Sequence, residues 1–364
     1  MVLLNGVNLK AYNFVVRNVE GRGAPPLSYS AIELAQGSYV SAWRFEERTI
    51  TIEGVVWGRT PQEAKANKDA LVRLFSQCVE PCLLTFLDTG RSIRVRLKGE
   101  PIVLRTIGPV FASAAYRVTV QFVATEPFFE GQEEHNEQGT GYVKFELFAP
   151  LFLAGDPGVI VEAVSTFGSG EIEFRNNLFD ITKASAGLVT PAGVECWNNI
   201  SGLPSSPAVV NFNTVFLKNN TRYTLYIESR PFTSRVCQGV RAGNVSLCGE
   251  VSEPVFTRTF TFAGNSGYYT LSIDVTGCRT LFKRVVLVEE GAIPQKDLSV
   301  KVKIPPMLTT SRIERGLLFE YSTSGASTQP VVDMYKWLAP GVWYALLPSQ
   351  LRLRLVGKRR YLEG

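Results

Sequence analysis

The chain has 364 residues, of which 45% are hydrophobic, 20% charged and 11% aromatic. This is the composition of a globular protein of two or three domains, not of a disordered or collagen-like chain. A net charge of +5 is small for this length and gives no basic excess of the kind nucleic-acid binding shows, while a single histidine, His135, excludes HExxH zinc sites and two-histidine acid–base pairs.

Residues 1–14 (MVLLNGVNLKAYNF) carry neither the charged region nor the apolar run of a signal peptide, and no stretch reaches the ~20 apolar residues of a membrane helix. The N-x-[ST] matches at Asn199, Asn219 and Asn244 are therefore read as chance. Period-two alternation predicts strands at 49–57 (TITIEGVVW), 93–98 (IRVRLK) and 116–123 (YRVTVQFV). It returns at 142–148, 223–227, 256–262, 270–275, 281–288, 299–304 and 351–356, with Gly, Pro, Asn and Ser between. One helix interrupts the strands over 61–77. Thr60 caps it, Pro61 takes its first position, Glu63 completes a capping box, and Ala64, Leu71, Leu74 and Phe75 make one apolar face. The expected class is all-β with one flanking helix.

Residues 130–141 (EGQEEHNEQGTG) are polar and acidic, so they predict a linker with His135 as a solvated residue in it. A second soft boundary falls at 289–297 (EEGAIPQKD). Six cysteines without a CxxC pair predict mostly buried free thiols, with a Cys237–Cys248 bridge across an expected hairpin as the alternative; Cys78 and Cys82 lie four apart near the helix end.

No nucleotide or cofactor motif is present: 168–170 (GSG) has no following helix, and Glu289 and Glu290, adjacent on a strand, face opposite sides and cannot flank a glycosidic bond. No catalytic residue, cofactor or metal is expected. Two basic rows stand out, Arg91, Arg94, Arg96 and Lys98, and Arg352, Arg354, Lys358, Arg359 and Arg360. Each predicts a solvated or ion-paired strand face before a phosphate-binding one.

The first 130 residues resemble the N-terminal domain of distal tail proteins of long-tailed bacteriophages. The features come in order: 5–9 (NGVNL), 48–54 (RTITIEG), the capped helix, 83–87 ending in Asp88, 91–99 (RSIRVRLKG), and 116–129 (YRVTVQFVATEPFF) with its Glu126–Pro127–Phe128–Phe129 close. The resemblance implies a tail-tube-like β-barrel over 1–130, a linker over 131–141, and a galectin-like sandwich split into 142–163 and 298–364. Between the two pieces, 164–297 resembles the jelly-roll carbohydrate-binding modules of tail proteins, through 176–179 (NNLF), 223–227 (YTLYI), 268–275 and 281–291 (LFKRVVLVEEG).

It further implies a structural virion protein and not an enzyme. Six copies would form a ring between tail tube protein and hub protein at the distal end of the tail, assembled in the host cytoplasm, with DNA only passing through the lumen and no membrane insertion. The loop with Arg22, Pro25 and Pro26 is the candidate contact between subunits. Aromatic faces and amides for a host surface glycan are Trp197, Asn198, Asn199, Tyr226, Tyr268 and Tyr269, with core packing as the alternative for each aromatic. Related jelly rolls often hold Ca²⁺, but no Asp-rich loop identifies such a site. The competing functions are a host-recognition adhesin and, with least support, a glycan-cleaving enzyme.

Overall fold

Strict alternation in Arg48–Trp57 turns Ile50, Ile52 and Val56 to a buried face and Thr49, Thr51 and Glu53 to the other. The computed structural model describes residues 1–33, 38–105, 115–155, 158–322 and 325–364. They divide into two units: Met1–His135, Leu147–Pro150 and Gly357–Gly364, then Asn136–Glu146 and Leu151–Val356.

In the first unit the antiparallel order is Val7–Asn8, Val2–Leu4, Cys82–Phe86, Arg91–Leu97, Ala115–Ala124, Arg48–Trp57, Phe14–Glu20. The end strands of this path do not pair, so the described residues form an open sheet where a closed barrel was expected. Its buried face is covered by the helix Pro61–Ser76, which supplies the packing that closure would otherwise provide. Leu71, Leu74 and Phe75 are buried there, and the Phe75 ring meets Phe14 and Phe122 edge to face at 6.3 and 5.9 Å. Burying three such side chains contributes roughly 5–9 kcal/mol. At Gly54 any Cβ would lie 2.5 Å from the Phe14 ring and the Val15 carbonyl, so only glycine fits.

The helix starts as expected: Thr60 accepts from the Glu63 N–H at 3.1 Å, and Glu63 accepts from the Arg59 N–H at 2.8 Å. It ends at Ser76, one turn before a Cys78–Cys82 disulfide that ties its exit to the next strand. The other four, Cys196, Cys237, Cys248 and Cys278, are the buried free thiols expected from sequence, so the bridge forms at Cys78–Cys82 and not at the alternative Cys237–Cys248. Cys237 opposes Val251 and Cys248 opposes Val240, so the two cysteines are not paired across the ladder.

The linker expected at 131–141 is in part strand. Phe129–Glu134 pairs with Lys358–Tyr361, and Glu130 also opposes Ser92. His135, expected in solvent, is buried, and its backbone N–H donates to the Gly357 carbonyl at 2.8 Å. The acidic run has a basic partner: Arg359 meets Glu133 at 3.2 Å, and Arg360 meets Glu126 at 3.1 Å.

The second unit holds two sandwiches. The outer one has a six-stranded sheet ordered Gln138–Gly139, Leu351–Val356, Gly158–Ala163, Arg312–Glu314, Leu317–Ser322, Gly325–Pro330, and a four-stranded sheet ordered Tyr142–Leu147, Gly341–Leu346, Gly170–Arg175, Ser299–Ile304. Gly170–Arg175 pairs along its length with Ser299–Ile304, so residues 164–175 stand with this sandwich rather than with the insertion.

The inserted sandwich follows. One sheet is Leu188–Thr190, Gly193–Trp197, Arg279–Glu289, Arg222–Pro231, Val255–Thr261; the other is Val209–Leu217, Gly267–Asp274, Gly239–Ala242, Val245–Cys248. Leu225, Ile227, Phe282 and Val285 of the first share one core with Val210, Val215, Leu271 and Ile273 of the second. Its neck is fastened by two adjacent asparagines. Asn176 bonds the Lys296 carbonyl and the Leu298 N–H, each at 2.7 Å, and Asn177 bonds the Val285 carbonyl and the Leu287 N–H, each at 2.9 Å.

Candidate interaction surfaces

Arg48 opens its strand inside the first unit and is 1% exposed. Its guanidinium donates to the carbonyls of Pro127 and Gly21 at 2.8 Å, Leu362 at 2.7 Å and Gly23, and lies 4.6 Å over the Phe129 ring. Five N–H donors in a planar fork suit four converging carbonyls, which no other side chain could serve together. Burial pushes its pKa down to about 10, against a rise from Glu363, so the group is charged at neutral pH. Nearby, Arg22 donates to Asp88 at 2.8 Å and to the Gly364 carbonyl at 3.0 Å, and Arg91 lies over Tyr361 and donates to the Glu363 carbonyl. The Arg22 hydrogen bond holds the Asp88 carboxyl below the usual range. These arginines strap residues 357–364 to the sheet.

A second buried polar node lies in the other unit. Tyr142 donates to the Glu289 carboxylate, so the 2.9 Å contact with Tyr223 takes its proton from Tyr223. Lys218 stands 3.6 Å and Lys144 4.0 Å from Glu289, and Tyr344 accepts from the Glu289 N–H at 2.8 Å. Burial, followed by the neighbouring Tyr223 and Glu289, pushes the Tyr142 phenol well up, and burial does the same for Tyr223 and Tyr344. The node joins the last strand of the inserted sandwich to two strands of the outer one. Glu290 is turned away and pairs with Arg222 at 3.1 Å.

The residues proposed from sequence for glycan contact fall into separate places. Trp197 donates its indole N–H to the Pro204 carbonyl at 3.0 Å; Asn198 is buried and donates to the Ser206 carbonyl at 2.6 Å; Asn199 is exposed in a left-handed turn. These three share one end of the inserted sandwich. Tyr268 and Tyr269 stand at the other, because Trp197 opposes Arg279, just past Asp274, and six residues of strand (~20 Å) separate Tyr268 from Asp274. Tyr268 donates to the Leu347 carbonyl and Tyr269 to the Asn265 carbonyl, each at 2.7 Å. Tyr226 is partly buried against the core between Thr257 and Val286. In the proposed subunit loop Arg22 is held as above, Pro25 is buried and Pro26 is exposed.

Neither basic row is one stripe. Arg94 and Arg96 are exposed, while Arg91 is engaged with Tyr361 and Lys98 donates to Thr49 at 3.0 Å. The second row divides at Gly357, with φ of +121°, into Leu351–Val356 and Lys358–Tyr361, strands that belong to different units. A group of aromatics escaped the sequence reading: Tyr335 and Trp337, 50% and 48% exposed, gather around Phe152. The signal lay in 335–337 (YKW), two aromatics around a lysine with no strand pattern to bury them. Among the described residues no group of three or more His, Cys, Asp or Glu could hold a metal ion, and no helix is long and apolar enough to cross a membrane.

No protein-family model matches the chain, and no curated protein matches it. Among solved structures it is similar to the Dit protein of SPP1, described as a paradigm of the hub adsorption apparatus in phages infecting Gram-positive bacteria. Identity is 13% and the TM-score 0.36, with 99% of this chain and 98% of that one covered. It is also similar to the phage P2 baseplate in its activated conformation, with Ca and with Sr. Each match has 8% identity and a TM-score of 0.28, covering 96% of this chain and 92% of that one.

Proposed function

We propose that the chain is a structural protein of a phage tail, a distal tail protein whose first unit forms a six-membered ring between the tail tube protein and the hub protein. The observation that carries this is the ordered series in residues 1–130. Its strands, capped helix and Glu-Pro-Phe-Phe close are all parts of one sheet-and-helix unit. A ring is built from head-to-tail contacts whose rotation closes, and an unpaired strand edge suits such a contact. Ile102–Arg105 pairs on one side only among the described residues, and Ile102 and Leu104 on it are exposed. In this role the protein belongs to the virion, at the distal end of the tail, after assembly in the host cytoplasm. DNA passes through the lumen without being held, and no catalysis is required.

Electron microscopy and native mass measurement of the purified chain, alone and with tube and hub proteins, test the proposal. Six-membered rings are expected. A monomer that persists at high concentration with both partners present would overturn it.

The inserted sandwich, whose two sheets close on one core that extends to Tyr142 and Tyr344 of the outer one, favours a second reading in which host recognition through a surface carbohydrate dominates. Phage carrying Trp197→Ala should then assemble normally and adsorb poorly; normal adsorption would refute that reading.

A further inference from the structure

We propose that Phe152, Tyr335 and Trp337 form a binding site for a neutral sugar ring, on the outer sandwich rather than the inserted one. Phe152 and Trp337 are a directly opposed cross-strand pair of the short ladder Leu151–Phe152 with Trp337–Leu338. Their rings stack at 4.9 Å and 29°, so one face of the indole is covered by Phe152 while the residue keeps 48% exposure. Tyr335 meets Phe152 edge to face at 5.9 Å and 61°, so both exposed rings pack against the same phenylalanine.

This arrangement is fixed from behind. The Tyr335 ring lies against Gly316, where a Cβ would come within 3.4 Å of it, in a two-residue hairpin turn whose Arg315 and Gly316 both have positive φ. Backbone bonds from Leu153 to Lys336 at 3.0 Å and from Tyr335 to Val332 at 3.1 Å hold the aromatic segment. A ligand therefore orders little on binding.

The polar chemistry points to a sugar. The indole N–H groups of Trp197 and Trp343 are taken by carbonyls, whereas among the described residues that of Trp337 has no acceptor and the Tyr335 hydroxyl has no partner. One donor and one donor–acceptor beside half-exposed rings suit a pyranose, which stacks its C–H face and offers hydroxyls at its rim. The neighbouring charges are already satisfied: Lys336 donates to the Lys301 carbonyl at 2.6 Å and stands 3.5 Å from Asp333, which accepts from the Lys303 N–H at 2.8 Å. Nothing here calls for a charged ligand.

A protein partner fits less well. Half of two aromatic side chains of ~150–250 Å² each leaves roughly 200 Å², against the ~800 Å² per partner of a stable interface. Val332, one turn away and exposed, extends the patch without closing that gap.

The test titrates the intact chain with the β-1,4-linked tetrasaccharides of glucose and of N-acetylglucosamine, read by saturation-transfer NMR and tryptophan fluorescence. At least one should bind saturably, and Trp337→Ala should weaken it about tenfold or more. Trp337→Phe and Tyr335→Phe should weaken it less, and Trp197→Ala should leave it unchanged. Should Trp337→Ala melt early, the two phenylalanine variants serve in its place. Failure of both sugars to bind, or binding indifferent to Trp337→Ala or to both phenylalanine variants, overturns the site. Neither outcome bears on ring formation or on the inserted sandwich.

Discussion

Replacing Arg48 with methionine should unfasten the first unit. The substitution fills much of the same volume but strands four carbonyls, those of Gly21, Gly23, Pro127 and Leu362, that now accept from one charged donor group. Hydrogen bonds to a charged group contribute ~1.5–3 kcal/mol each; Pro127 is buried, while the exposed Gly21 and Gly23 can turn to water once the arginine is gone. Part of that is returned because a buried cation is no longer desolvated, so the expected net loss is about 3–5 kcal/mol. At ~2–4 °C per kcal/mol for a unit of ~150–250 residues, its transition should fall by ~6–20 °C. Differential scanning calorimetry reads this, with Arg48→Lys as the companion: an ammonium keeps the charge but has three donors and no plane to lay on Phe129, so it should fall between. Burial lowers the folded pKa only to about 10, so below pH 10 the group is protonated in both states and adds no pH dependence. A loss under about 1 kcal/mol for Arg48→Met would refute the reasoning.

In the second unit the folded Tyr142 keeps its proton beyond its ordinary pKa of 10.0, so its stabilisation is complete below pH 10 and is lost as pH rises above it. Denaturant midpoints should drop at up to ~1.36 kcal/mol per pH unit for this group, and Tyr142→Phe should remove that part of the slope. Thiol titration should find four reactive cysteines after denaturation without reductant and none in the folded chain. Burial raises the pKa of all four free thiols, that of Cys196 to about 12; six after denaturation would contradict the Cys78–Cys82 bridge. Thr60→Ala should destabilise the first unit by about 1 kcal/mol in the same calorimeter, and an unchanged transition would rule out the cap.

What sequence could reveal was whatever depends on near neighbours. The helix showed itself through Thr60, Pro61 and Glu63, and strands such as Arg48–Trp57 and Leu351–Val356 through alternation, because caps and pleats are local. Long-range pairing left no such trace. Residues 130–134 look like linker until Lys358–Tyr361 lies beside them, and the basic residues from Arg352 to Arg360 look like one row until Gly357 divides them. Arg48 was visible only as the start of a strand, since the four carbonyls it gathers come from three distant stretches. Tyr335 and Trp337, as exposed as Tyr268, went unseen for the same reason: aromatic identity is written in the sequence, but exposure depends on which strands come to lie alongside.

The strap of residues 357–364 also sets a schedule for biosynthesis. Carbonyls from 21–23 and 127 leave the ribosome early, yet the Leu362 carbonyl and the strand Lys358–Tyr361 follow only after all of residues 136–356 have been made. At ~5–20 residues per second this is a delay of roughly 10–45 s, during which the Phe129–Glu134 edge and the Arg48 cation lack their final partners. The outer sandwich waits nearly as long, because Gln138–Gly139 and Gly158–Ala163 pair with Leu351–Val356, whereas the strands of the inserted sandwich pair only among residues 188–289. A nascent chain thus completes its middle before its beginning, and a truncated product carries an unfinished first unit, open to proteolysis or chaperone capture.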